Sequence, residues 1–172
     1  VQAIHSMRGI SSAEHNPFIA LKREETTENQ GEVYGFSFVY SGNFLAQVEV
    51  CSNDTSRVLM GIHPDNFEWT LQKGEIFQTP EVVMVYSDNG LNKMSQTYHK
   101  LYSERLARGT WRGKERPVLI NNWEATYMDF NEEKILEIAK TAKEAGIELF
   151  VLDDGWFGTR DDDTQGLGDW FV

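Results

Sequence analysis

The sequence predicts a mixed fold, an antiparallel β-sandwich followed by a strand–helix–strand unit with parallel strands. Three observations lead there. Up to about Tyr86 the apolar residues fall in short alternating runs separated by turn residues; from Leu91 they change to helical spacing; after Pro117 two apolar runs flank an amphipathic helix.

In the first region, "EVYGFSFVYSGNFLAQVEV" carries Val33, Phe36, Phe38 and Tyr40, then Phe44, Ala46, Val48 and Val50, with the turn cluster Ser41-Gly42-Asn43 between them. "RVLMGI" and "EVVMVYS" are further strands, and "MRGISSAEHNPF" reads as strands and a turn. Several short strands with turns between them predict a sandwich. From Leu91 to Arg108, Leu91, Met94, Tyr98, Leu101, Tyr102 and Leu106 make a helical stripe, with Gly109 as the residue that stops it. This helix and the loop "GTWRGKERP" form a junction.

After Pro117, "VLINNW" is a short strand that Trp123 ends. Asn131 is a good N-cap, and Glu132 and Glu133 put negative charge in the first turn of a helix running to about Ala145. Ile135, Ile138, Ala142 and Ala145 form its apolar face, Gly146 stops it, and "IELFVL" is the next strand. A strand, helix and strand of this length make a βαβ unit.

The 172 residues carry 40% hydrophobic and 12% aromatic side chains, enough to bury a core. Lys plus Arg number 16 and Asp plus Glu 27, for a net charge of −11. That balance opposes nucleic-acid phosphates and anionic membrane surfaces as partners, because both demand excess cations. One cysteine, Cys51, allows no internal disulfide, which fits a reducing, cytoplasmic setting. No apolar run approaches the ~20 residues that span a bilayer. The four histidines lack ligand spacing, and no HExxH, GxSxG or phosphate-cradling loop occurs. Neither a metal nor a cofactor is expected. An EF-hand loop counted from Asp161 would end on Val172 in place of Glu, so calcium is rejected too. The sequence starts without Met and ends on "LGDWFV", and further chain is expected on both sides.

Parallel strands joined by a helix share one C-terminal rim, where ligands of α/β folds bind. Trp123 and the pair Asp153-Asp154 fall on that rim. Adjacent residues of a strand project to opposite sides, so the two acids do not face each other as the acid/base pair of a hydrolase. As ionised acceptors they suit a ligand dense in hydroxyls, and the indole of Trp123 or Trp156 suits the apolar face of a sugar ring. Asp161-Asp162-Asp163 reads as a solvated loop.

The stretch "RPVLINNWEATYMDFNEEKILEIAKTAKEAGIELFVLDDGWFGTRDDD" followed by "LGDWFV" closely resembles the family 36 glycoside hydrolases, the bacterial α-galactosidases. The preceding segments look like the same family's N-terminal sandwich. "NNWEATY" and "LDDGWFG" are its most specific motifs here. The resemblance implies residues 1–90 as part of the sandwich, 91–116 as linker helix and loop, and 117–172 as the start of a (β/α)8 barrel. It implies retaining hydrolysis of terminal α-galactosyl residues of oligosaccharides such as melibiose and raffinose, no cofactor, and a homo-oligomer when full length. It also implies that Trp123 contacts sugar and that Asp153 and Asp154 bind galactose hydroxyls. The family's nucleophile lies in a later strand in a Lys-x-Asp context, which is absent here, and a barrel needs ~250 residues where 56 follow Arg116. None of the catalytic residues is therefore expected in this chain, which on its own should be inert and should expose the faces of Ile120, Phe150 and Leu152. The competing expectations are a non-catalytic carbohydrate-binding β-module and a related family member such as an α-N-acetylgalactosaminidase or a galactosyl transferase.

Overall fold

A computed structural model describes residues 1–11 and 14–172, so part of "MRGISSAEHNPF" (Ser12 and Ala13) lies outside the described residues. The chain divides into two compact units, Val1–Ala107 and Arg108–Val172.

The first unit holds two three-stranded antiparallel sheets. One is ordered β1 (Gln2–Ser6), β4 (Phe44–Val50), β5 (Ser56–Ile62), and the other β2 (Phe18–Lys22), β3 (Val33–Phe38), β6 (Val82–Ser87). The inner faces meet where Phe38, Phe44 and Ala46 are buried against Ile4, Ile19, Met60 and Ile62. A groove of about 610 Å³ is lined by Tyr34 and Phe36 of one sheet and Val48 and Val58 of the other.

The opposite face of β3 is also covered. Val33 and Val85 pack with Met94 and Tyr98 of α1 (Gly90–Leu101). On this face β3 carries the small residues Gly35 and Ser37, because the helix comes close. A Cβ on Gly35 would stand 2.6 Å from the Met94 sulfur and 2.8 Å from the Tyr98 ring. Burial pushes the Tyr98 hydroxyl up to about 12, with neighbouring Tyr102 adding to the effect, and the hydroxyl donates to the Val83 carbonyl at 2.9 Å.

The helix stops sooner than its apolar stripe suggests. After Leu101 the chain widens into a π-helical turn, Tyr102–Leu106, closed by the Ala107 N–H on the Tyr102 carbonyl at 2.7 Å. The wider turn stacks the Tyr102 ring on Tyr98 and brings its hydroxyl within 2.9 Å of Ser37 Oγ. Leu106 is left exposed. The helix expected in a linker thus packs on the sandwich sheet and belongs to the first unit.

In the second unit β7 (Leu119–Asn121) and β8 (Leu149–Val151) pair in parallel, with Asn121 opposite Val151. Between them lie a one-turn helix, α2 (Trp123–Thr126), and α3 (Glu132–Glu144). Asn131 caps α3 by accepting the Lys134 N–H at 3.0 Å, and Glu132 and Glu133 occupy its first turn. Ile135, Ile138 and Ala142 turn inward, whereas Ala145, expected on that face, is exposed because the helix has ended there. Ile120 and Phe150 are half-buried; Leu119, Leu149 and Leu152 are exposed.

Candidate active-site rim

The site begins with two amides. Asn122 is fully buried, at 0% exposure, and links three elements at the ends of the parallel strands. Its Oδ1 accepts the Asp153 N–H at 2.8 Å, and its Nδ2 donates to Thr126 Oγ1 of α2 at 2.9 Å. Asn121, one residue earlier, donates from Nδ2 to Asp153 Oδ2 and accepts the Trp123 N–H on Oδ1 at 2.7 Å. Buried polar groups need such partners, and here each bond also fixes a rim residue in place.

Trp123 therefore does not end β7, as the sequence suggested. The strand stops at Asn121, Asn122 adopts helical angles (φ −79, ψ −15), and Trp123 opens α2. Its ring meets Tyr127 edge-on at 5.4 Å. Tyr127 sits at φ 48, a backbone strain held by its N–H on the Trp123 carbonyl at 2.7 Å.

Asp153 and Asp154 follow β8 after one residue, Leu152, and engage different partners. Asp153 Oδ1 accepts the Asp154 N–H at 2.7 Å, while Oδ2 accepts Asn121. Asp154 Oδ1 accepts the Gly155 N–H at 2.8 Å and Arg160 Nε at 2.5 Å, and Oδ2 accepts Arg160 Nη2 at 2.6 Å. The Arg160 fork beside Asp154 holds that carboxyl below the usual carboxylate range, and the Gly155 N–H acts in the same direction. The turn after the acids requires Gly155 (φ 87), where a Cβ would also stand 2.8 Å from the Met128 sulfur.

Arg160 is 5% exposed, lies over the ring of buried Phe157 and donates Nη1 to the Gln165 carbonyl at 2.5 Å. Phe157 in turn contacts Trp156 at 5.1 Å and Trp170 at 4.5 Å. The result is a cavity of about 380 Å³ that Leu152, Asp153, Asp154, Trp156, Leu167 and Trp170 line. Trp123 does not line it; Asn121 joins it to the acids. The Asp161-Asp162-Asp163 segment is exposed, with Asp162 accepting both the N–H and the hydroxyl of Thr164.

A carboxylate offers about four acceptor positions. The internal bonds leave one on each oxygen of Asp153 and one on Asp154 Oδ2. These can receive hydroxyl donors beside flat apolar walls. Among the described residues no group of three or more His, Cys, Asp or Glu side chains could hold a metal ion, and no helix is long and apolar enough to cross a membrane. Sequence reasoning found the acid pair and missed Asn121, Asn122, Arg160 and Trp170. The "NN" before the tryptophan and an arginine alone among acids were the available signals.

An antiparallel sandwich followed by a parallel β/α unit, with an acid pair and aromatic walls at the strands' C-terminal rim, matches the opening part of a sandwich-and-barrel protein. The chain belongs to the melibiase family, which residues 76–172 match, and residues 1–72 match the glycosyl hydrolase family 36 N-terminal domain. It is 71% identical over 172 residues to α-galactosidase AgaA of Geobacillus stearothermophilus, covering 100% of this chain and 24% of that protein. It is 53% identical to α-galactosidase 1 of Pediococcus pentosaceus, with 100% and 24% covered. The crystal structure of AgaA superposes with a TM-score of 0.93 over 99% of this chain and 24% of that one, at 71% identity. For the Lactobacillus brevis α-galactosidase the TM-score is 0.94 over 99% and 23%, at 55% identity. The chain thus spans about a quarter of the length of the relatives it matches. Variants of AgaA have been crystallised with raffinose and with stachyose.

Proposed function

We propose that this chain is the sandwich-to-barrel segment of a retaining α-galactosidase that hydrolyses terminal α-D-galactosyl residues of melibiose- and raffinose-type oligosaccharides. Within it Asp153 and Asp154 accept hydrogen bonds from the galactosyl hydroxyls, and Trp123 supplies an aromatic contact. The observation that carries this reading is the acid pair at the rim of parallel strands, held by Asn121, Asn122 and Arg160 with acceptor positions unspent. Its support is the 71% identity to an α-galactosidase and the binding of raffinose and stachyose by variants of that relative.

Neither aspartate performs the covalent chemistry in this reading. Asp153 and Asp154 are adjacent and tied to different partners, so they do not flank one glycosidic bond as a nucleophile and acid/base must. Both catalytic groups lie outside the 172 residues, and the isolated chain turns over no substrate.

The test uses the complete enzyme carrying this segment. It should release galactose from melibiose and raffinose, first as the α-anomer by NMR. Asp153→Ala and Asp154→Ala should each lower kcat/KM by about ten- to a hundredfold through lost charge-assisted hydrogen bonds. Azide should not rescue Asp154→Gly; a β-galactosyl azide product would make Asp154 the nucleophile and sink the assignment.

A further inference from the structure

Arg160 is the only Lys or Arg after Lys143, in a stretch that also contains Asp153, Asp154, Asp161, Asp162, Asp163 and Asp169. Of these acids, its guanidinium takes Asp154 alone in a two-pronged contact, at 2.5 and 2.6 Å. The arginine is also the buried partner, 5% exposed against 26% for the Asp154 side chain. A loop that needed only charge balance could leave its arginine in solvent among the exposed aspartates. Burying a guanidinium costs desolvation and is offset only when its donors are met, as they are here by Asp154 and the Gln165 carbonyl.

We infer that Arg160 is a positioning residue for galactosyl binding, fixing the Asp154 carboxylate so that one acceptor position on Oδ2 is left for a sugar hydroxyl in the cavity. The planar fork defines both oxygens at once, which a lysine ammonium cannot do. It takes one acceptor on each oxygen, and the Gly155 N–H takes the second on Oδ1. Phe157 beneath the guanidinium and the Gln165 carbonyl beside it hold the fork itself. The inference rests on the α-galactosidase reading above and adds to it a residue that does not touch the sugar.

The experiment is a double-mutant cycle in the complete enzyme, with Arg160→Lys, Asp154→Asn and the two combined, assayed on melibiose. Arg160→Lys should raise KM about tenfold with a smaller change in kcat. It should also move the acidic limb of kcat/KM to higher pH, because the Asp154 carboxyl loses the fork that holds it low. The double variant should be no worse than Asp154→Asn alone, since Arg160 acts through that carboxylate. Losses that multiply across the cycle, or a folded Arg160→Lys enzyme with unchanged KM and pH profile, overturn the inference. If Arg160→Lys does not fold, Asp154→Asn combined with Arg160→Met removes both charges. Its KM should equal that of Asp154→Asn, and a further rise overturns the inference. A wild-type enzyme without α-galactoside turnover overturns the functional reading and this inference together; wild-type turnover with a multiplicative cycle overturns only the inference.

Discussion

Among the described residues the largest fully buried side chains are Phe44 and Val33 in the first unit and Asn122 in the second. In Val1–Ala107 the β2-β3-β6 sheet is covered on both faces, by the other sheet and by α1, and apolar side chains fill both contacts. In Arg108–Val172 the buried side chains are Asn122, Ala142, Phe157 and Arg160, two of the four polar, and their bonds converge on the rim. The difference teaches what each unit is built to do. A scaffold gains most from burying carbon, because that gain is nondirectional and scales with area. A rim that must hold polar groups in place needs fixed directions, which hydrogen bonds supply even though each adds little net stability.

The largest expected effect tests the apolar half of that contrast. Phe44→Ala should lower the opening free energy of the first unit by about 3–5 kcal/mol, since both the burial and the contacts across the sandwich are lost. Hydrogen exchange at the β3 and β4 amides, followed by mass spectrometry, reads this locally.

Asn122→Ala tests the polar half. It strips the Asp153 N–H and the Thr126 hydroxyl of a partner and should cost about 3 kcal/mol in the second unit. Its signature should be faster exchange at Asp153 and α2, together with weaker galactoside binding. A loss of stability with unchanged binding would mean that the amide supports the fold alone.

Gly35→Ala probes how closely α1 sits on the sheet. Its added methyl meets the Met94 sulfur and the Tyr98 ring, and an overpacking cost of about 2 kcal/mol is expected by thermal melting.

The remaining effect is confined to alkaline pH. The folded state holds the Tyr98 hydroxyl up to about 12, above the ~10 of a free tyrosine. Between these values the unfolded chain binds fewer protons, so stability falls as pH rises. The contribution is complete below about pH 10 and lost as pH climbs through about 12. Tyr98→Phe should flatten that alkaline fall in a melting series.

Much of this fold was legible in the residues. Alternation marked β3 to β6, Asn131 and the two glutamates marked the start of α3, and the acids after "IELFVL" marked the rim. The family resemblance in "NNWEATY" and "LDDGWFG" agreed with that local reading. These signals are local because periodicity and capping act within a few residues.

Other features depended on partners distant in sequence. The turn Ser41-Gly42-Asn43 could have closed a hairpin, yet it carries the chain from β3 in one sheet to β4 in the other. Alternation shows that a strand has two faces and does not say what will cover each; the close approach of α1 to Gly35 is set by the packing of Met94 and Tyr98. The π-helical turn after Leu101 has no pattern of its own and follows from the reach of Tyr102 to Ser37, 65 residues away. At the rim, sequence determined that two carboxylates stand together after a strand. Only the tertiary structure decided that Asn121 and Asn122 hold one and Arg160 the other, because hydrogen-bond direction is set by where folded strands and loops end.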